Sequence, residues 1–183
     1  MKLYRIVEVF GDIVSQVSGK LTASLQGYDP KITGVHYMHG HPLEIIETLK
    51  QLGDTQTYRF DRYPLIALFQ DFPERVTDAT GLQSEVTLHL IIARATMPDY
   101  KAEKRYEYNF NPVLYPVYES LLLHIHRSKA FTTKGPNLVE HTKWDRLYWG
   151  RSGLYGNEGN IFNDWIDCIE IKDLKLKVNT KIC

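Results

Sequence analysis

Two apolar segments near the middle of the chain set the strongest limits on its fold. Between residues 84 and 96 the positions Val86, Leu88, Leu90 and Ile92 are all apolar, and this alternation with period two is typical of a β-strand. Residues 63–69 form a short, continuously apolar run, as expected of a strand that is buried on both faces. The two segments therefore predict an antiparallel pair at the centre of a sheet.

Other segments have the three-four spacing of amphipathic helices. Residues 3–17 carry one apolar stripe, and Gly19 is expected to end this helix. A second helix is predicted from Pro42 to Gly53, because proline suits a first helical turn and glycine a helix end. A short strand is expected between these two helices, at residues 35–38.

A third helical stripe contains two prolines, which complicate its start. Interior proline removes a hydrogen bond and clashes one turn back, so we expect the helix to begin near Pro112 or to kink at Pro116. The buried stripe itself consists of Phe110, Leu114, Val117, Leu121 and Ile125.

The last apolar positions complete the predicted architecture. Their alternation changes parity around Lys172 and Asp173, which indicates a β-bulge. The overall pattern predicts an α+β two-layer sandwich, with a mainly antiparallel sheet, two to three helices on one face and a long aromatic, glycine-rich loop. We interpret residues 1–183 as a single domain, with residues 131–165 as an extended interaction loop.

Charge and composition exclude several classes of protein. The 22 basic and 22 acidic residues cancel, and the isoelectric point near 7.1 gives no electrostatic basis for binding a nucleic-acid backbone. No run approaches the roughly 18 apolar residues of a membrane span. The N-terminus lacks the apolar centre of a signal peptide, so synthesis in the cytoplasm is expected.

All three tryptophans lie in one glycine-punctuated segment, residues 144–165. Aromatic side chains are enriched in protein interfaces, and several exposed rings on a monomer would favour aggregation. We therefore predict that part of this segment contacts another subunit. The candidate interface residues are Trp144, Tyr148, Trp149, Tyr155, Phe162 and Trp165.

The sequence contains no arrangement of groups that predicts catalysis, and no cofactor motif. His36, His39 and His41 could ligate zinc together with an acid such as Asp164, and a metal-dependent enzyme is the alternative hypothesis. We favour the interpretation that they are loop histidines.

Three carboxylates also cluster in the sequence, at Asp164, Asp167 and Glu170. Paired acids could serve acid–base chemistry or hold a divalent ion. The competing interpretation is that Asp164 caps a turn and that Asp167 bonds backbone amides at the end of the loop. We favour that structural role.

The order of several motifs over most of residues 40–178 resembles a known family. These proteins are the small tail-completion and neck-ring (head–tail connector) structural proteins of tailed bacteriophages, especially those of Bacteroides-type hosts, the crAss-like group included. The motifs are residues 63–68, the strand at 86–96, Arg105-Tyr106, residues 110–118, Tyr148-Trp149-Gly150, residues 160–164 and residues 167–171.

The resemblance implies a non-enzymatic virion subunit without a cofactor. Such proteins form closed rings, commonly of six or twelve copies, at the head–tail junction or the tail end. The expected partners are other copies of the chain and neighbouring portal, connector or tail proteins, with DNA passing through the lumen without specific binding. The expected location is the neck or tail of the virion, after synthesis in the host cytoplasm.

Overall fold

The computed structural model describes residues 2–3, 5–53, 62–76, 83–133, 139–149 and 165–181. The helices are α1 (Ile6–Tyr28), α2 (Pro42–Gly53), α3 (Ala102–Arg105) and α4 (Tyr115–Arg127), with a π-helix (Tyr106–Leu114) joining the last two. The strands are β1 (Lys2–Leu3), β2 (His36–Gly40), β3 (Leu65–Phe69), β4 (Glu74–Val76), β5 (Ser84–Ala95), β6 (Phe131–Thr132), β7 (Thr142–Arg146), β8 (Ile166–Val178) and β9 (Thr180–Lys181).

The protein has an α+β fold, as the sequence predicted. Seven strands form one sheet in the order β2-β3-β5-β8-β6, with β4 added beside β5 and β7 beside β8. Within the described residues, β2 and β3 run parallel and the other pairings of this sheet are antiparallel, so the sheet is mainly antiparallel. A separate two-stranded sheet of β1 and β9 joins the two ends of the described chain. No helix in the described ranges is both long and apolar enough to cross a bilayer.

The predicted central pair is β3 and β5, which are antiparallel with Ile66 opposite Ile92. Pro64 lies immediately before β3, at the strand start where a missing N–H is tolerated. The register of β5 against β8 shifts between Leu88 and Leu90, and Asp173 has a left-handed backbone with φ of 54°. The predicted β-bulge is therefore confirmed at this position.

Two helical segments cover the first face of the sheet. One segment is α1, and the other is the π-helix together with α4. Their apolar stripes pack against even-numbered side chains of β3 and β5, such as Leu68 and Leu90. Strand β8 contributes odd-numbered side chains to this core before the bulge, namely Ile169 and Ile171. After the bulge it contributes even-numbered side chains, namely Leu174, Leu176 and Val178. The bulge thus keeps one face apolar while the sequence parity changes.

The second face of the sheet is covered by α2. Ile45 and Leu49 of α2 pack with odd-numbered side chains of β3, such as Ala67, and Trp149 joins this smaller core. Two helical segments therefore lie on the first face and one helix on the second, so the sheet is covered on both sides at this end.

Helix α1 is longer than predicted, because Gly19 does not end it. The helix has 23 residues and continues to Tyr28. A Cβ added at Gly19 would meet nothing within 4 Å, so this glycine lies on an open side of the helix. Leu25 is buried and extends the apolar stripe by two further turns. The free energy gained by burying this part of the stripe outweighs the roughly 1 kcal/mol that an interior glycine costs a helix.

The third helix begins earlier than predicted, at Ala102, and Pro112 lies inside it. The chain passes this proline as a π-helix, in which the Tyr115 N–H donates to the Phe110 carbonyl five residues back. The wider π-turn differs from the α-helical ladder that proline would break. Pro116 then occupies the start of α4, where its missing N–H is tolerated.

Candidate interaction surface

Strand β7 carries the most exposed tryptophan in the described part of the chain. Trp144 pairs with Glu170 of β8, and its side chain is 47% exposed. Within the described residues, β7 is hydrogen-bonded to β8 only, so it forms an edge of the sheet. Leu147 follows it and is also exposed. The surface formed by Trp144 and Leu147, here named the β7 edge surface, is therefore aromatic and apolar.

The Trp144 ring is held in place by a chain of charged contacts. The Arg146 guanidinium lies 4.5 Å from the ring centroid, in cation–π geometry. The same guanidinium donates through Nε to the Glu170 carboxylate at 3.0 Å. The buried Glu170 carboxylate thus positions Arg146 against the Trp144 ring.

Glu170 is a buried carboxylate with three basic neighbours. His89 Nε2 lies 3.0 Å from Oε1, and Lys172 Nζ lies 3.2 Å from the same oxygen. Burial by itself raises the pKa of the Glu170 carboxyl. The hydrogen bonds from His89 and Arg146, with the Lys172 charge, outweigh burial and lower this pKa to about 2.

After Leu147 the chain turns from the surface into the core. Tyr148 has a left-handed backbone with φ of 56°, and the next residue, Trp149, is only 1% exposed. The Trp149 N–H donates to the Ile166 carbonyl at 2.8 Å. The Tyr148 ring packs edge-on to Trp165, with centroids 5.3 Å apart.

A buried ionic cluster fixes the position of Tyr148. Arg105 and Asp167 are both fully buried, and Nη1 donates to Oδ1 at 2.6 Å. Asn109 Nδ2 donates to Asp167 Oδ2 at 2.7 Å, and the Tyr148 N–H donates to Oδ1 at 3.3 Å. The Tyr148 ring lies over the Arg105 guanidinium at 3.7 Å. The cluster joins the start of the third helix, β8 and the end of the β7 edge surface.

The six candidate interface residues therefore have different environments. Trp144 is exposed, Tyr148 and Trp165 are half-buried against each other, and Trp149 packs within the protein's own core. Tyr155 and Phe162 lie outside the described residues. Part of the predicted interaction loop, residues 131–165, forms strands β6 and β7 of the sheet. The interface assignment stays a prediction, and of the six candidates Trp144 is the exposed one among the described residues.

The three histidines of the metal hypothesis are not all loop residues, as favoured from the sequence, since His36 and His39 lie in β2. Each of the three has other contacts. His39 Nδ1 lies 3.0 Å from the Gln70 amide oxygen, and His36 Nε2 lies 3.3 Å from Thr33 Oγ1. His41 Nδ1 accepts from the Leu43 N–H at 3.2 Å, at the start of α2. Across the described ranges, no three His, Cys, Asp or Glu side chains are grouped to hold a metal ion. Asp164, the proposed fourth ligand, lies outside these ranges.

The acidic residues have structural contacts that the sequence pattern did not predict. Asp167 accepts from the Tyr148 backbone N–H, as the structural interpretation predicted. It lies inside β8 rather than at the end of a loop, however, and its donors Arg105 and Asn109 are side chains. Arg105 and Arg146, the partners of Asp167 and Glu170, were not identified from the sequence. The sequence did contain a sign of these partners, since two acidic residues, Asp167 and Glu170, lie within the apolar run of β8. Buried acids require a cationic or hydrogen-bonding partner.

Two comparisons with known proteins were made, and neither identifies a family for this chain. A search with protein-family models finds no match to this chain, and a search of curated proteins finds no similar sequence.

Proposed function

We propose that the protein is a structural subunit that assembles into a closed ring, and that this ring belongs to the neck or tail of a bacteriophage virion. The assembly part of the proposal is carried by one observation, the exposed Trp144 on an edge strand. The phage context comes from the resemblance of the motif order to neck and tail-completion proteins.

The chemistry of the β7 edge surface favours contact with another protein chain. Tryptophan is among the residues that contribute most to binding energy at interfaces. A side chain that is already ordered loses less conformational entropy on binding, and the Arg146–Glu170 contacts supply that order here. In a cyclic ring one surface meets a different surface on the next copy, so this surface need not be self-complementary.

The test is the solution mass of the purified protein, by light scattering across a concentration series. We expect an oligomer of defined mass, with a closed ring in negative-stain images. Trp144→Ala should weaken assembly by about 30-fold or more, as expected for loss of an interface hot spot of about 2 kcal/mol. Because Trp144 is half exposed, the variant should unfold in urea at nearly the same midpoint as the wild type when both are measured at a concentration too low for assembly.

Leu43→Ala provides the matched control, since Leu43 is an exposed apolar residue on a different element, α2. It should leave the mass unchanged. A wild-type chain that stays monomeric throughout the series would contradict a ring that forms from this subunit alone. A Trp144→Ala variant that assembles normally would remove the β7 edge surface from the interface.

A further inference from the structure

A concave surface, separate from the β7 edge surface, lies between the C-terminal end of α1, the last residues of β5 and the π-helix. The cavity has a volume of about 370 Å³, within the size range of small-molecule sites. Its walls combine aromatic rings with a small number of polar groups, which is the usual composition of a ligand site.

Arg94 is the central charged group of this cavity, with its side chain only 12% exposed. Its Nη2 donates to Asp29 Oδ2 at 3.0 Å. Its Nη1 is buried and has no hydrogen-bond partner within the described ranges. Burial lowers the pKa of Arg94, although the neighbouring Asp29 charge opposes this. A largely buried guanidinium with one nitrogen unpaired favours an additional acceptor.

Among the described lining residues of the cavity, positive charges outnumber negative charges by one. Among the lining residues that the structure describes, Asp29 is the single acid, and its Oδ1 also accepts from the Lys31 backbone N–H at 3.1 Å. Lys31 and Arg94 supply two cations. This excess of one positive charge in the cavity wall matches a monoanion such as a carboxylate better than a doubly charged phosphate.

Aromatic side chains form the rim. The Tyr28 ring lies 5.9 Å from the Arg94 guanidinium, and Tyr108 packs against Tyr100 at 5.5 Å. Tyr28, Met97 and Tyr108 are all exposed, although each is large and mainly apolar. A flat apolar group could lie between these side chains while its anionic end meets Arg94.

Buried hydrogen bonds hold the polar residues at the bottom of the cavity, Thr96 and Asn109, in position. Thr96 Oγ1 accepts from Asn109 Nδ2 at 2.7 Å, so its own O–H can donate into the site. Asn109 is held by Asp167, which is paired with the buried Arg105. The Arg105 guanidinium also donates to the carbonyls of Tyr100 and Met97, at 2.6 and 3.2 Å. These contacts keep the floor and one side of the rim in a fixed geometry.

We propose that this cavity binds a carboxylate carried on a flat apolar group. Arg94 is the cation, the Thr96 hydroxyl is a second donor, and Tyr28 and Tyr108 contact the apolar part. The same chemistry occurs in a free aromatic carboxylic acid and in an acidic side chain next to an aromatic residue on another protein. The inference does not depend on ring assembly, since its residues lie outside the β7 edge surface.

The test is a titration of the full chain, followed by amide chemical shifts. The probes are 3-phenylpropionate, its neutral amide, inorganic phosphate and the capped dipeptide acetyl-Phe-Glu-amide. We expect 3-phenylpropionate to saturate, with shifts confined to the cavity, and its amide to bind about tenfold more weakly or worse. Tighter binding of the dipeptide would identify a protein source, and tighter binding of the free acid a small-molecule source. Equal binding of acid and amide, preferential binding of phosphate, or no saturation would overturn the proposal.

Two variants with opposite expected effects separate binding from folding. Arg94→Gln should weaken binding of 3-phenylpropionate by about tenfold or more. Asp29→Asn should strengthen it, because the competing carboxylate is removed from Arg94, and damage to the fold could not produce that gain. Arg127→Gln, at the exposed end of α4, is the charge-matched control and should bind as the wild type does. An Asp29→Asn variant that binds no more tightly would overturn the proposal, even if Arg94→Gln failed to fold.

Discussion

Glu170 is a charged residue in the buried part of β8, where burial alone would oppose ionisation. Three basic side chains meet its two oxygens, and one of them, Arg146, also contacts the exposed Trp144 ring. The carboxylate therefore has two effects. It pairs with basic side chains over the second face of the sheet, and through Arg146 it is linked to the proposed interface residue Trp144.

The pH dependence of stability should report this carboxylate. The pKa of Glu170 in the folded protein is about 2, below the ordinary value of 4.5. The ionised form is therefore favoured by folding. Its contribution is complete above pH 4.5 and is lost as the pH falls towards 2. Glu170→Gln should be less stable at neutral pH and should lose less further stability in this acid range, as measured by urea unfolding at successive pH values.

Glu85→Gln is the control for that measurement, because Glu85 is half exposed and lies 3.6 Å from Lys177. Its stability should follow the wild-type pH profile. Parallel curves for Glu170→Gln and the wild type would contradict the role assigned to Glu170.

At the scale of elements, the β-bulge of β8 decides which side chains share a core. One extra residue around Lys172 and Asp173 lets odd-numbered and even-numbered apolar positions face the same helices. The sequence predicted this feature because alternation is a local property that a change of parity reveals directly. The bulge requires Asp173 to adopt a left-handed backbone conformation, which costs conformational free energy.

Substitution at Asp173 should test this cost. A β-branched side chain is poorly tolerated at positive φ, so Asp173→Val should lower the free energy of unfolding by about 1–2 kcal/mol. Asp173→Gly should be neutral or slightly stabilising, because glycine adopts the left-handed conformation without penalty. Urea unfolding of both variants provides the measurement.

The comparison for that series is Lys175→Val, at an exposed position of the regular strand beyond the bulge. Valine is favourable in strands, so this variant should not be destabilised in the same way. Equal losses for Asp173→Val and Lys175→Val would indicate that the backbone conformation at Asp173 carries no special cost.

The helices show where local patterns were insufficient. The stripe of α1 was predicted correctly from Ile6 to Val17, but Leu3 lies in β1 rather than in the helix. The end of α1 was also wrong, because burial of Leu25 depends on distant parts of the chain. The π-helix was missed for a similar reason. Proline spacing signals a disturbance, whereas the choice among a break, a kink and a π-turn depends on what the helix packs against.

At the scale of the whole molecule, the Arg105–Asp167 pair connects distant segments. It joins the start of the third helix to β8, and it holds Tyr148 at the point where the chain leaves the β7 edge surface. Through Asn109 it also fixes the floor of the proposed carboxylate cavity. Both candidate binding surfaces therefore depend on the same buried pair.

Breaking this pair should be costly. Asp167→Asn leaves the buried Arg105 guanidinium without its counter-charge, and we expect a loss of about 3 kcal/mol in the free energy of unfolding. The double variant Arg105→Met with Asp167→Asn should be destabilised by less than the sum of the single changes, because it leaves no buried charge unpaired. Urea unfolding of the four proteins gives the coupling energy directly.

Glu8→Gln provides the exposed comparison, since the Arg5–Glu8 pair at 3.0 Å lies largely in solvent. It should change stability little. Additive effects of the two buried substitutions would show that Arg105 and Asp167 contribute independently rather than as a pair.

The sequence by itself determined the fold class, the central strand pair, the start and end of α2 and the bulge. Each of these follows from hydrophobic periodicity or turn chemistry within a short window. Only the tertiary structure decided that α2 covers the second face, that Trp149 is a core residue while Trp144 is exposed, and that Arg94, Arg105 and Arg146 have acidic partners. Those outcomes depend on contacts between residues far apart in the chain, and a local pattern contains no information about which of two similar residues meets the core.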